Sequence, residues 1–191
     1  MMHIDELKTV RKKLGIQMVE GQLFEIVKAL EKPLNYLVFG LGNDSIFWHE
    51  TNKGGRTVFI EDNQGWYQKI KGKYPFIEAY RVEYGTKRSE WEALLNCPEK
   101  LHLALPDEIL NTKWDVVLVD GPPSYLNSLP GRMKSIYMAS ILVKEGGHVF
   151  VHDCQREIEC LFCDKYLGKK ELLEEVKGVW TFGHTILRHY S

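Results

Sequence analysis

The stretch Leu34-Asn-Tyr-Leu-Val-Phe-Gly-Leu-Gly-Asn-Asp44 decides how the rest of the chain is interpreted. Residues 36–39 form a short apolar run, and Gly40 and Gly42 follow it at once. This pattern predicts a buried parallel strand that runs into a tight glycine turn. Glycine permits positive φ and lets a ligand approach the backbone closely. The turn is therefore a candidate ligand cradle, because ligands bind at the carboxyl ends of strands in open α/β sheets.

The spacing of apolar residues, interrupted by glycine and proline, predicts an alternation of helices and strands. Helices are predicted over residues 5–14, 17–30, 45–52, 63–71, 90–95, 133–142 and 156–166. Strands are predicted over residues 36–39, 56–62, 77–84, 115–119, 148–151, 171–176 and 185–190. Residues 101–105 are apolar but stop at Pro106, so their conformation stays open.

Alternating helices and strands predict an α/β fold with a mostly parallel central sheet and helices on both faces. We divide the chain into an N-terminal helical segment, residues 1–32, packed on a Rossmann-like domain, residues 33–191. No stretch of the chain is rich enough in glycine, proline or serine to act as a linker between two domains.

Composition excludes several classes of function. The 191 residues include 25 basic and 26 acidic side chains, a net charge of −1, which disfavours nucleic acid as a partner. No apolar run approaches the ~20 residues of a membrane span. The N-terminus is polar and unlike a secretory signal, so we expect a cytoplasmic protein with four reduced cysteines and no membrane contact.

Polar side chains follow several of the predicted strands at the point where each strand ends. Glu61 and Asp62 close the second strand, Asp120 follows the fourth, and His152 and Asp153 follow the fifth. Because the carboxyl ends of parallel strands meet at one edge of a sheet, we expect these groups to converge beside the glycine turn.

The predicted cofactor site comprises Gly40, Gly42, Asp44, Ser45, Glu61 and Asp62. An acid about twenty residues beyond a glycine turn suits ribose hydroxyls, as in sites for NAD or S-adenosylmethionine. Asp62 is a candidate for the adenine amino group. Asp44 would repel a pyrophosphate but would suit an amino group, which favours S-adenosylmethionine. The alternative is a purely structural role, in which Asp44 or Ser45 caps the following helix. The third glycine of the dinucleotide fingerprint is missing.

A reaction that removes a proton at this edge of the sheet would require a general base, and Asp120, His152 and Asp153 are the candidates. Tyr125 and Arg132 are expected on the substrate side, where Arg132 could pair with a substrate carboxylate.

Metals are possible at these residues but not expected. The oxygen-rich set of three candidate bases would suit Mg²⁺ or Mn²⁺. A zinc set of His152 with Cys154, Cys160 and Cys163 is conceivable, but Cys160 and Cys163 fall inside a predicted helix.

Taken together, several motifs resemble one family. The matching stretches, in order, are residues 36–45, 54–62, 103–108, 114–115, 119–120, 130–133 and 149–153. They resemble the class I methyltransferases of the polysaccharide-biosynthesis family that contains the plant glucuronoxylan 4-O-methyltransferases. The resemblance implies a Rossmann-like methyltransferase sheet, S-adenosylmethionine as cofactor and O-methylation of a sugar acid or another small hydroxylated acceptor. An NAD-type oxidoreductase and a non-catalytic binding module are the alternatives.

Overall fold

A computed structural model describes residues 2–180 and 183–191 of the chain. Its centre is a seven-stranded sheet with the strand order β3-β2-β1-β4-β5-β7-β6. The strands are β1 Asn35–Phe39, β2 Arg56–Glu61, β3 Glu78–Arg81, β4 Trp114–Val119, β5 Val143–Val151, β6 Leu172–Trp180 and β7 Gly183–Tyr190. The first five strands pair in parallel, whereas β7 is antiparallel to both β5 and β6.

Eight α-helices accompany the strands within the described residues. They are α1 Ile4–Leu14, α2 Glu20–Ala29, α3 Ser45–Thr51, α4 Gln64–Lys73, α5 Trp91–Leu95, α6 Asp107–Leu110, α7 Met133–Leu142 and α8 Glu157–Cys163. None of the helices in the described ranges is long and apolar enough to cross a membrane. The α/β fold with a mostly parallel sheet and helices on both faces, as expected from the sequence, is confirmed.

The strands are apolar on both faces because each face is covered by helices. Along β1, Leu37 and Phe39 pack on one face, and Tyr36 and Val38 pack on the other. Helices α5 to α8 contribute buried side chains to the first face, and α1 to α4 contribute them to the second. The core is therefore two layers separated by the sheet.

The two N-terminal helices belong to the second of these layers. Leu7, Leu23 and Ile26 are fully buried against the sheet. The fully buried Gln22 donates from Nε2 to the carbonyl of Val176 on β6, at 3.1 Å. The helices thus cover apolar surface that the sheet would otherwise expose.

Several predicted boundaries are wrong for identifiable reasons. Strand β3 ends at Arg81 because its partner β2 ends at Glu61, whose carbonyl accepts the last parallel hydrogen bond, from the N–H of Val82. Helix α4 continues through Gly72 to Lys73. Strand β5 begins at Val143, before the glycines that were predicted to precede it, because Gly146 and its neighbour form an irregularity within the strand. Helix α6 was not predicted.

We predict that Leu23→Ala lowers the free energy of unfolding by about 2–5 kcal/mol, the usual cost of a cavity at a fully buried leucine. Ile4→Ala, which truncates an aliphatic side chain that is 51% exposed, is the matched control and should cost about 0.5 kcal/mol or less. Urea unfolding of both variants measures the difference. Equal losses would contradict the place of α2 in the core.

Candidate active site

Two glycines face each other where β1 and β4 end. Gly40 has φ +121°, and a Cβ on it would lie 3.2 Å from the backbone nitrogen of Gly121. A Cβ on Gly121 would lie only 2.8 Å from the Cα of Gly40. Within the turn, the positive φ lies at Gly40 and not at Gly42. A Cβ on Gly42 would instead lie 3.1 Å from Asp44 Oδ1. The contact brings Asp120 to the side of the turn.

Ser45 and Asp44 shape the turn in different ways. The Ser45 hydroxyl, in a residue 1% exposed, accepts the N–H of Gly42 at 2.9 Å and so closes the turn. Asp44 does not cap α3 with its side chain; its Oδ2 accepts the indole N–H of Trp48 at 2.8 Å. Burial, reinforced by the charge of Asp120, raises the pKa of Asp44 to about 6. A carboxylate at this position opposes a pyrophosphate.

The carboxylate of Glu61 faces the turn from the end of β2. Its Oε2 accepts the N–H of Leu41 and its Oε1 accepts the N–H of Asn63, each at 2.7 Å. Each oxygen retains a lone pair for a further donor. Burial raises the pKa of Glu61 to about 7, against the effect of the two N–H groups. Burial also raises the pKa of Asp62 beside it.

Asp120 and His152 form a direct pair at the ends of β4 and β5, which are neighbours in the sheet. Asp120 Oδ1 lies 2.8 Å from His152 Nδ1. The other ring nitrogen, Nε2, lies 2.8 Å from the hydroxyl of Thr185 on β7. Sequence reasoning missed Thr185, because its approach depends on the antiparallel return of β7. Of the two Asp120 oxygens, Oδ2 has no hydrogen-bond partner among the described residues.

Arg132 occupies a position different from the one expected. Its side chain is 5% exposed. It donates to the backbone carbonyls of Pro122, Asp120 and His152, and its Nη2 also lies 3.3 Å from Asp120 Oδ1 and 2.9 Å from Asp153 Oδ2. The prediction that Arg132 pairs with a substrate carboxylate is therefore wrong. Its buried guanidinium instead links the backbone after β4 to the backbone after β5.

Asp153 is held from three sides. Its Oδ2 lies 3.0 Å from Arg156 Nη1 as well as 2.9 Å from Arg132, and its Oδ1 accepts the amide of Gln155 at 3.2 Å. Burial acts to raise the pKa of Asp153, but the guanidinium groups of Arg132 and Arg156 outweigh it and hold that pKa well below its usual range. Asp153 has φ +66°, unusual for a residue with a side chain. Asp153 is therefore better suited to hold Arg132 and Arg156 in place than to act as a general base.

Asp120, His152 and Asp153 can each offer one ligand atom, and these atoms lie within 4.8 Å of one another. Oxygen and imidazole donors suit a divalent cation. Arg132 already places positive charge against both carboxylates. The predicted cysteine set does not gather into such a group within the described ranges. Cys160 instead lies 2.8 Å from the carbonyl of Cys154, whose thiol lies 3.8 Å from that of Cys163, and all four cysteines are free.

Tyr125 lies on the loop that follows β4, and its side chain is 67% exposed. The loop is bound to the segment after β3, where Arg88 Nη1 donates to Asn127 Oδ1 at 2.7 Å and Arg88 N donates to the carbonyl of Leu129. The substrate role of Tyr125 stays a prediction.

Comparison with solved structures defines the fold. The chain superimposes on a TehB-like SAM-dependent methyltransferase from Corynebacterium glutamicum with a TM-score of 0.58 and 10% identity, covering 99% of this chain and 97% of that one. It is also similar to the N-methyltransferase NodS from Bradyrhizobium japonicum in complex with S-adenosyl-L-homocysteine, with a TM-score of 0.56, 13% identity and coverage of 93% and 89%. The class I methyltransferase fold is therefore confirmed.

Relatives from Arabidopsis thaliana are much closer in sequence. Identity is 40% with glucuronoxylan 4-O-methyltransferase 1, over 74% of this chain and 59% of the relative. It is 36% with arabinogalactan O-methyltransferase 1, over 83% and 63%, and 35% with the protein IRX15-LIKE, over 87% and 58%. The chain thus spans about three fifths of the length of these relatives. A family model described as IRX15/IRX15L/GXM matches residues 21–182, and the chain belongs to this family.

Proposed function

We propose that this chain is an S-adenosylmethionine-dependent O-methyltransferase whose acceptor is a hydroxyl of a polysaccharide. The observation that carries the proposal is the position of Glu61: a buried carboxylate bonded to the N–H of Leu41 in the glycine turn, with Asp120 on the other side of that turn. A ribose site and a candidate base thus adjoin one backbone segment.

The names of the relatives support the nature of the acceptor. Two of them are named as methyltransferases of glucuronoxylan and of arabinogalactan, which are polymers. We therefore prefer a polysaccharide to the small acceptor that the sequence left open, with a uronic acid residue as the methylated unit. The cytoplasmic location expected from the sequence stays a prediction.

The residues at the turn fit S-adenosylmethionine chemically. The free lone pairs of Glu61 suit the two ribose hydroxyls, and Asp62 suits the adenine amino group. Asp44, whose carboxylate adjoins Gly42, suits the ammonium of the methionyl part. When bound, this cofactor supplies an electrophilic methyl group.

The chain itself must orient the acceptor hydroxyl and take its proton. Asp120 is 29% exposed at its side chain and has an unbonded oxygen, so it can reach an acceptor. The largely buried Asp153 and Arg132 fix its surroundings instead. Proton removal at the moment of attack makes the hydroxyl oxygen a competent nucleophile.

Two rival functions make different predictions for ligand binding. An NAD-type oxidoreductase would bind NAD in preference to S-adenosylhomocysteine, although Asp44 opposes the pyrophosphate. A binding module without catalysis would hold a saccharide but transfer no methyl group. Calorimetric titration with NAD and with S-adenosylhomocysteine, together with a radiolabelled methyl-transfer assay on glucuronoxylan and arabinogalactan, separates the three functions.

We expect adenosine affinity to fall as the pH drops below about 7 and to approach the affinity of the Glu61→Gln variant at low pH. Glu61 accepts both ribose hydroxyls only when ionised, and its pKa is raised to about 7, so the favourable form is lost as the pH falls. Adenosine has no ammonium group, which removes Asp44 from the measurement. Calorimetry between pH 5.5 and 8.5 gives the profile.

Glu61→Gln is the control for that titration. It should lower adenosine affinity about tenfold or more at pH 8, because a charge-assisted pair of hydrogen bonds is weakened, and its profile should be nearly flat. A steep profile in this variant would remove Glu61 from the ribose site.

We predict that Asp120→Asn reduces turnover by ~10²–10⁴-fold, the usual effect of losing a general base. Affinity for S-adenosylhomocysteine should change little, because the role is confined to the transition state. Asp115→Asn is the matched control at the opposite end of β4, and it should turn over like the wild type. The same assay with chelator tests metal dependence: a silenced wild type restored by Mn²⁺ would instead assign Asp120 to a metal site.

A further inference from the structure

The contact between Thr185 and His152 has no part in the function proposed above. Thr185 is 1% exposed, and its hydroxyl lies 2.8 Å from His152 Nε2. No second hydrogen bond from that hydroxyl is present among the residues described. A buried hydroxyl with one available partner constrains the protonation of that partner.

The two neighbours of His152 favour one tautomer. An ionised carboxylate can only accept, so Asp120 Oδ1 requires a proton on His152 Nδ1. In the neutral ring Nε2 then carries a lone pair, and the Thr185 hydroxyl donates to it. An imidazolium would place a proton on Nε2 as well, and the buried hydroxyl hydrogen of Thr185 would lose its acceptor, which is costly.

We propose that Thr185 is a positioning residue that fixes His152 as the neutral Nδ1–H tautomer, so that Asp120, and not His152, takes the proton of the acceptor. This inference rests on the proposed methyltransferase function. Both ring nitrogens of His152 are occupied, and its side chain is 9% exposed, so it has no free atom for an acceptor hydroxyl. Its task is to aim the carboxylate of Asp120.

The transfer step balances with Asp120 as the base. The acceptor oxygen forms a bond to the methyl carbon while the methyl–sulfur bond breaks and its electron pair stays on sulfur. The hydroxyl proton passes to Asp120 Oδ2. His152 Nδ1–H continues to donate to Oδ1, and Arg132 Nη2 lies 3.3 Å from the same oxygen. Asp120 later releases the proton to water, to which its partly exposed side chain has access.

The first test observes the ring directly and needs no acceptor. Protein with ¹⁵N-labelled histidine is studied by long-range ¹H–¹⁵N correlation at pH 7.5, and His152 is assigned by the signal missing from His152→Gln. We expect a protonated Nδ1 and a bare Nε2. A ring protonated on Nε2, alone or together with Nδ1, overturns the proposal.

The second test measures turnover on glucuronoxylan with Thr185→Val, which keeps the shape of the side chain but removes the hydroxyl. We expect kcat to fall about tenfold, as for one lost orienting hydrogen bond, with KM for S-adenosylmethionine unchanged. Thr185→Ser should restore most of the activity, because it returns the hydroxyl. Wild-type turnover in Thr185→Val contradicts the proposal.

Thr57→Val is the matched structural control. Thr57 is a buried strand threonine, 5% exposed, whose hydroxyl accepts from Asn52 Nδ2 at 2.9 Å, away from the site. Equal losses of kcat in both valine variants would show a loss of packing and overturn the positioning role. Wild-type protein that binds neither S-adenosylmethionine nor adenosine would end the proposed function, and the tautomer measurement would still decide the role of Thr185.

Discussion

The buried guanidinium of Arg132 fixes the arrangement of the site. It reaches two backbone carbonyls at the ends of β4 and β5, those of Asp120 and His152, and it also contacts the carboxylates of Asp120 and Asp153. Burying a guanidinium is costly unless its donors are satisfied, and removing one partner of such a pair typically costs about 3–5 kcal/mol. The relative positions of Asp120, His152 and Asp153 thus depend on one buried side chain.

Carboxylates in the two halves of the site differ because their surroundings differ. Burial dominates beside the glycine turn and raises the pKa values of Glu61 and Asp44 to about 7 and about 6. On the other side Arg132 and Arg156 dominate and lower the pKa of Asp153. Separation of carboxylate pKa values by environment is how one site assigns different tasks to chemically similar groups. In this site the acids that take up a proton near neutral pH lie at the glycine turn, and the carboxylate that is held in its charged form lies beside the two arginines.

Much of this could be predicted from local signals. Apolar runs that end in glycine or acidic residues predicted β1, β2, β4 and β5, and parallel pairing then required their ends to meet. The role of Arg132 could not be predicted, because a guanidinium that faces inward and one that faces a substrate have the same sequence. The contact of Thr185 with His152 could not be predicted either, because it depends on the antiparallel pairing of β7 with β5. Boundaries failed where partner strands, rather than propensity, ended an element, as at Arg81.

The contact between Gly40 and Gly121 limits how this site can diverge. Each glycine fills the space that a side chain on the other would need, so replacing either one moves backbone rather than a flexible side chain. A second substitution cannot compensate for the first, because both positions already have the smallest residue. Exposed side chains such as Tyr125 can be exchanged one at a time, whereas the junction of β1 and β4 cannot be changed by single substitutions without moving the backbone.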